Sequence, residues 1–364
     1  MSALWSARHK IQTWRQIWVA LADSQRELGM PITAAQVAEL KGAATAIDFE
    51  GAARHETRLR HDVMAHVHAY GDAAPGARGI IHMGATSQDV VCNADILIMR
   101  DALVLTAGKL ARAIDRASSF AHKHRTLPTL GYTHYQPAQP TTVGKRATLW
   151  AQDLVIALMD VERSVDSLRL KGLRGATGTQ ASYLGLLDGD ASKVDELEAR
   201  WATKLGWDPA RTWWVCGQTY PRLVDAQVLG SLALAAAAIH KCCNDLRLLA
   251  NLKEVEEPFE TEQIGSSAMA YKRNPMRCER ATGLARFVMN LQHNALDTAA
   301  TQWLERSLDD SSNRRLSLPE AFLALDGALD IMANVLGGLV VYPAAIHAHL
   351  MAELPFMATE DLML

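Results

Sequence analysis

The sequence predicts a mainly α protein built as a bundle of long helices. Three observations carry that reading: long stretches lack proline and nearly lack glycine, apolar residues recur within them at helical spacing, and few segments alternate with the period of two that marks a strand. From Asn93 to Leu127 one glycine (Gly108) and no proline interrupt a pattern of Ile96, Met99, Leu103, Leu110 and Ile114. Thr141 to Lys171 contains only Gly144 and carries Leu149, Leu154, Leu158, Val161 and Val165. Arg222 to Glu257 contains only Gly230, with Leu229, Leu232, Ala236, Ile239, Leu246 and Leu249. Runs of about 30 residues make helices roughly 45 Å long. Their broad Ala- and Leu-rich faces lack a strict heptad, which favours a bundle over a two-stranded coiled coil. A further helix start is expected at Ser317-Leu318-Pro319-Glu320, a capping serine with Glu three positions on and Pro in the first turn. Trp213-Trp214-Val215 reads as a short strand.

Composition sets the outer limits. The chain has 364 residues, room for two or three ordinary domains or one extended helical assembly. With 37 Lys and Arg against 40 Asp and Glu the net charge is −3, so no electrostatic footprint for nucleic acid or an anionic membrane is present. At 49% apolar and 21% charged, the composition is that of a folded chain. The apolar stretch Val228 to Ile239 is broken by Gly230 and Ser231 and is too short to span a bilayer. The N-terminus turns polar before any signal-peptide core forms. Five cysteines form no CxxC pair, which points to reduced packing residues in a cytoplasmic protein.

The chemistry-bearing residues fall in the loops beside these helices: Gly84-Ala85-Thr86-Ser87-Gln88-Asp89, Gly131-Tyr132-Thr133-His134-Tyr135-Gln136-Pro137, and Ile264 to Pro275. The last is the densest, with Gly265, Ser266, Ser267, Lys272 and Asn274 ahead of Pro275, yet by composition it also fits an ordinary polar linker. It is neither a Walker A loop nor a Gly-x-Ser-x-Gly elbow. Arg60 to His68 holds three histidines; His61 and His68 would share a helical face, His66 would not, and no His-Glu-x-x-His pattern supports a metal site. His66 and His68 read as core or solvated histidines, and His122 and His124 as surface ones. His134, in a loop bounded by Gly and Pro, fits a core role less well. Arg277 to Arg280 with Arg306, Ser311, Asn313, Arg314 and Arg315 suits a phosphate or carboxylate ligand. Ion pairing with Glu279, Glu305, Asp309 and Asp310 explains the same arginines equally well.

Together the loops resemble something specific. Gly265-Ser266-x-x-Met269-x-x-Lys272-x-Asn274-Pro275 is similar to the signature of the fumarase/aspartase superfamily, whose members release fumarate from succinyl compounds. Gly84-Ala85-Thr86-Ser87 and Thr133-His134 precede it in the expected order. Within the superfamily the chain most resembles the eukaryotic-type adenylosuccinate lyase family, through residues 60–68, 127–146, 175–182, 246–280 and 303–315. The resemblance implies a long-helix bundle forming the core of a homotetramer. It also implies an N-terminal helical domain over 1–86, a central bundle over 87–341, and the beginning of a C-terminal helical domain over 342–364. The implied reaction is elimination of fumarate from adenylosuccinate, giving AMP, and from the succinyl-carboxamide ribotide SAICAR, giving AICAR, in purine biosynthesis.

By the same resemblance Ser266 is the general base and His134 the general acid. Lys272 and Asn274 bind the succinyl carboxylate, and Thr86 and Ser87 hold a carboxylate near a helix start. Arg60, His61, Asp62, Gln218, Arg280, Arg306, Ser311 and Arg315 match positions that grip the nucleotide portion and orient the succinyl arm. No metal or organic cofactor is implied, and the motif regions would meet from three subunits. Two features depart from the family: Ala270 stands where it usually has Pro, and its Arg-Tyr phosphate-binding segment and most of its third domain are expected to be absent. Two alternatives stand beside this reading: another fumarate-releasing member such as argininosuccinate lyase or fumarase, and a catalytically silent helical oligomer.

Overall fold

The computed structural model describes residues 1–364, with side chains at 1–359 and 362–364. Helices dominate: α1 (Ala7–Glu27), α2 (Ala34–Ala43), α3 (Phe49–Leu59), α4 (Asp62–Ala73), α5 (Ser87–Lys123), α6 (Val143–Ser167), α7 (Ala181–Leu186), α8 (Ala191–Lys204), α9 (Leu223–Asn251), α10 (Met276–Ala300), α11 (Asp310–Gly338), α12 (Pro343–Met357) and α13 (Thr359–Met363). The long runs expected near 93–127, 141–171 and 222–257 are α5, α6 and α9. Two small antiparallel sheets accompany them, β1 (Pro128–Thr133) with β2 (Gln136–Thr142), and β3 (Val255–Glu256) with β4 (Val340–Val341).

The chain divides into two compact units. The first comprises Met1–Ala102, Asp166–Val224 and Leu296–Arg314; the second comprises Leu103–Val165, Asp225–Ala295 and Arg315–Leu364. Each gathers stretches distant in sequence, whereas the domain division expected above follows chain order. In the first unit α1 and α8 pack around Trp14, Trp18, Leu21, Tyr70 and Trp201, all at 1% exposure or less. In the second, Leu110, Trp150, Leu154, Leu232, Ile239, Phe322, Leu329 and Met332 form an apolar interior. Windows of α9 and α11 reach mean hydropathies of 1.5 and 1.3, and 67% and 50% of those windows are buried inside the fold, as suits core helices. All five cysteines are free and buried, as expected.

Three expectations need correction. The helix expected to start at Ser317 begins seven residues earlier, at Asp310, and Pro319 lies inside it. Ser317 is buried at 4% exposure beside Leu318, Ala321 and Phe322. That packing outweighs the roughly 3 kcal/mol cost of an interior proline. Trp213-Trp214-Val215 is irregular: an isolated bridge joins Leu170 to Thr212, and Trp214 and Val215 are 74% and 81% exposed with no strand to cover them. Conversely, the loop containing His134 is the tip of the β1–β2 hairpin. Pro128, Pro137 and Pro140 hide it in the sequence, since proline is tolerated where a ladder donor is not needed.

Candidate active site

In the first unit the loop before α5 is held by a buried carboxylate. Asp89 Oδ2 accepts the Thr86 backbone N–H at 3.0 Å and the Tyr183 hydroxyl at 3.1 Å. Oδ1 accepts the N–H groups of Arg174 and Gly175, each at 3.1 Å, and the Lys171 ammonium. Asp89 and Lys171 are both at 0% exposure, so the donors replace the water each charge has lost. Burial, with Asp89 adding to it, pushes the Tyr183 pKa well up. Asn93 extends the network, bonding the Gly172 backbone in both directions at 3.1 Å. Thr86 and Ser87 are thereby fixed at a helix start, where backbone N–H groups favour an anion.

Ser87 also meets a residue the sequence singled out. His61 caps α4, its Nδ1 accepting the Met64 N–H at 3.2 Å, and its Nε2 lies 3.4 Å from Ser87 Oγ. These contacts assign the ring proton to Nε2, which donates toward the serine. Asp62 accepts the Val63 N–H at 2.8 Å, and Arg60 ends α3 with φ +53°, leaving its side chain exposed. His66 and His68 behave as expected: the first packs edge-on to Trp14 at 5.7 Å, the second stacks on His55 at 5.3 Å.

A second buried carboxylate organises the arginines. Asp310, at 1% exposure, opens α11 and receives Arg222 Nε at 2.7 Å and Arg306 Nη2 at 3.4 Å. Burial lowers the Arg306 pKa while Asp310 opposes that pull. Ser311 follows directly. Gln218 donates Nε2 to the Ala176 carbonyl at 3.1 Å, and its backbone N–H bonds Glu305 O at 3.0 Å. A Cβ at Gly217 would sit 2.6 Å from that same carbonyl, so glycine allows the approach. Of the two readings of these arginines, the structure shows ion pairing at Arg222 and Arg306, both on Asp310.

In the second unit His134 and Tyr135 are the central residues of a two-residue hairpin turn, at φ +52° and +59°. A turn with positive φ at both positions usually takes Asn-Gly or Asp-Gly. Two bulky residues held there are strained, as happens where a side chain must be presented. The loop toward α10 is built differently. Ser266 Oγ accepts the N–H of Ala268 at 3.3 Å and of Met269 at 3.2 Å; Asn274 Nδ2 donates to Gly265 O at 2.9 Å; Lys272 N–H donates to Met269 O at 3.0 Å. A Cβ at Gly265 would lie 2.1 Å from Lys272 O, so this close pass requires glycine. Ser266 is half-buried and Lys272 exposed. At the end of the loop Glu257 caps α10, its two oxygens accepting the N–H groups of Arg277 at 3.0 Å and Cys278 at 2.9 Å. Arg280 on α10 and Arg315 on α11 are exposed.

The first unit therefore carries Arg60, His61, Asp62, Thr86, Ser87, Gln218, Arg306 and Ser311, and the second carries His134, Ser266, Lys272, Asn274, Arg280 and Arg315. Within the first, His61 meets Ser87, and Arg306 and Ser311 flank one carboxylate. Within the second, Ser266, Lys272 and Asn274 share a loop while His134 stands on its own hairpin. The supporting residues Asp89, Lys171, Asp310 and Glu257 were not singled out as functional from sequence. Asp89 and Asp310 lie in the first turns of α5 and α11, where an acidic residue is a helix-start signal; Lys171 and Glu257 carried none.

Comparison with known proteins places this arrangement. The lyase family matches residues 16–290. The fold aligns with a fumarate lyase from a Mesorhizobium species at TM-score 0.85 and 26% identity, covering 99% of this chain and 80% of that one. It also aligns with a β-carboxy-cis,cis-muconate cycloisomerase from Acinetobacter calcoaceticus at TM-score 0.83 and 26% identity, covering 100% and 80%. Fold and signature loop together define a lyase of the fumarase/aspartase superfamily. An adenylosuccinate lyase from Schizosaccharomyces pombe is 54% identical over 100% of this chain and 76% of its own length, and one from Saccharomyces cerevisiae is 50% identical with the same coverage. The chain belongs to the adenylosuccinate lyase family.

Proposed function

We propose that the chain eliminates fumarate from adenylosuccinate to give AMP, and from SAICAR to give AICAR, with Ser266 as base and His134 as acid. The observation that carries this reading is 54% identity along the whole chain to a protein named adenylosuccinate lyase, with the signature loop intact apart from Ala270.

Ser266 takes the proton from the carbon β to the departing nitrogen. The electron pair is delocalised into the adjacent carboxylate, which Lys272 and Asn274 stabilise as charge builds. The C–N bond then breaks, the pair becomes the fumarate double bond, and His134 protonates the leaving nitrogen. A serine hydroxyl is a poor base. The N–H groups of Ala268 and Met269 on Ser266 Oγ favour its anionic form, and the Lys272 charge adds to this once the loop shuts over substrate. Thr86, Ser87 and His61 hold a substrate carboxylate, while Arg60, Asp62, Gln218, Arg280, Arg306, Ser311 and Arg315 grip the nucleotide portion.

The working form is a cytoplasmic homotetramer in which each active site draws motif regions from different subunits. Exposed Leu149, Ile156 and Met159 on α6 and Leu234 and Leu248 on α9, at 44% to 63% exposure, support an apolar surface that assembly would cover. The test is fumarate release by the purified chain, offered adenylosuccinate, argininosuccinate or malate in parallel. Turnover of adenylosuccinate alone is expected; turnover of either other substrate in its place defeats the assignment.

A further inference from the structure

We infer that the segment Glu254–Glu256 is a common seat for the acid-bearing hairpin and the base-bearing loop, with Glu254 a positioning residue for His134. This rests on the acid and base roles proposed above. α9 ends in a Schellman turn: the Glu254 N–H bonds Leu249 O and the Lys253 N–H bonds Ala250 O, each at 3.0 Å, with Lys253 at φ +56°. A lysine in that left-handed position is less stable than a glycine would be. The turn delivers the next residue, Glu254, into the interior at 0% exposure.

A buried carboxylate needs partners. His349 Nδ1 on α12 lies 2.9 Å from Oε1. Arg146 Nη1, near the start of α6, lies 4.0 Å from Oε2, an oxygen that accepts no hydrogen bond among the described residues. The other terminal nitrogen of Arg146 donates to the Leu130 carbonyl, and the guanidinium lies 5.9 Å from the Tyr132 ring centroid. Contacts therefore run from His349 through Glu254 and Arg146 into β1, and β1 leads into the strained turn at His134. Two residues on, Glu256 Oε2 accepts the Tyr342 hydroxyl at 2.8 Å and lies 3.6 Å from Arg273 Nη1, inside the loop that carries Ser266. The pairing of β3 with β4, and the Tyr342 N–H on Glu254 O at 2.9 Å, pin the segment itself.

Stability alone does not account for this arrangement. Apolar side chains of similar volume fill an interior at least as stably as a buried ion pair. A carboxylate kept there with one oxygen unbonded is explained instead by what it aims: the guanidinium that holds the hairpin.

Glu254→Gln keeps the shape and removes the charge. Its effect on fumarate release from adenylosuccinate is to be measured in the parent and in His134→Ala, with kcat and KM separated and folding followed by circular dichroism. A small misplacement of a catalytic group costs up to about 100-fold, so kcat is expected to fall about 10-fold or more while KM holds within about twofold. In His134→Ala the same change should alter the residual rate by less than about twofold, because the group being positioned is gone. An unchanged kcat in the parent, or an equal fall in both backgrounds, overturns the proposal. If Glu254→Gln does not fold, His349→Asn, at a half-exposed partner, decides by the same comparison with an expected fall of about two- to fivefold. Parent-like turnover by His134→Ala itself would instead defeat the acid assignment, a separate failure.

Discussion

The loop that opens α5 and the loop that precedes α10 both carry serines that the proposed reaction assigns to a carboxylate-bearing substrate, yet they are held in opposite ways. Under Thr86 and Ser87, one fully buried carboxylate gathers donors from three stretches of chain, including a lysine at 0% exposure. Around Ser266 the bonds are local to the loop, and Ile264 and Tyr271 are 76% and 82% exposed. A site that must recognise a fixed anion gains from donors set before the ligand arrives. A loop that must generate an alkoxide gains from exclusion of water, which requires closure on the substrate. Under the proposed function, the contrast is that of a preformed grip and a closing base.

Breaking the buried side of this contrast should damage the fold most. Asp89→Asn leaves the Lys171 charge buried without its counter-ion, and loss of one partner of such a pair costs about 3–5 kcal/mol. Urea unfolding should show a midpoint lowered accordingly. Substitution on the loop side should do the reverse. Ser266→Ala, and likewise His134→Ala on its hairpin, are each expected to lose at least about 100-fold in fumarate release. The exposed His134→Ala should change stability by no more than about 0.5 kcal/mol, and Ser266→Ala, at a half-buried site, by less than Asp89→Asn.

Acidification offers a graded version of the same comparison. Burial, with Arg15 and Lys10 adding to it, lowers the His66 pKa from 6.5 to about 4; burial outweighs Asp89 to bring His82 to about 4 as well. His82 Nδ1 accepts the Trp18 indole N–H at 3.0 Å, a bond that protonation removes. A group depressed in the folded state contributes stability above its unfolded value. That stability is lost as pH falls from about 6.5 toward 4. Both rings belong to the first unit, and residues 257–275 contain no histidine. Stability should therefore fall between pH 7 and 5, and His66→Phe should flatten part of that fall; a slope that His66→Phe leaves unchanged would remove His66 as a cause. The smallest effect is expected from Ala270→Pro. Restricting the unfolded loop is worth about 0.4–1 kcal/mol where the backbone accommodates it, so fumarate release should shift by no more than about fivefold.

How far the sequence revealed this depended on the range of the interactions. The long helices were legible because their apolar periodicity is local: α5, α6 and α9 appear within several residues of their expected bounds. The signature loop was legible because Gly265, Ser266, Lys272, Asn274 and Pro275 are consecutive or nearly so. The His134 hairpin was not, since three prolines mask its strands and its turn uses His-Tyr in place of the usual Asn-Gly. Nor were the roles of Asp89, Asp310 and Glu254, because each draws meaning from partners far along the chain: Lys171, Arg222 and Arg146. Pro319 misled for the converse reason, its local stop signal being overridden by the packing of Leu318 and Phe322.

Amide hydrogen exchange, with and without AMP and fumarate bound together, tests the contrast most directly. The amides of Thr86, Arg174 and Gly175, whose N–H groups bond Asp89, should be slow to exchange in both states. Those of residues 264–273 should be fast in the free protein and become protected when both products bind. Fast exchange at Thr86, Arg174 and Gly175 in the free protein, or no gain in protection across 264–273 on binding, would contradict the pairing of a preformed grip with a loop that closes on substrate.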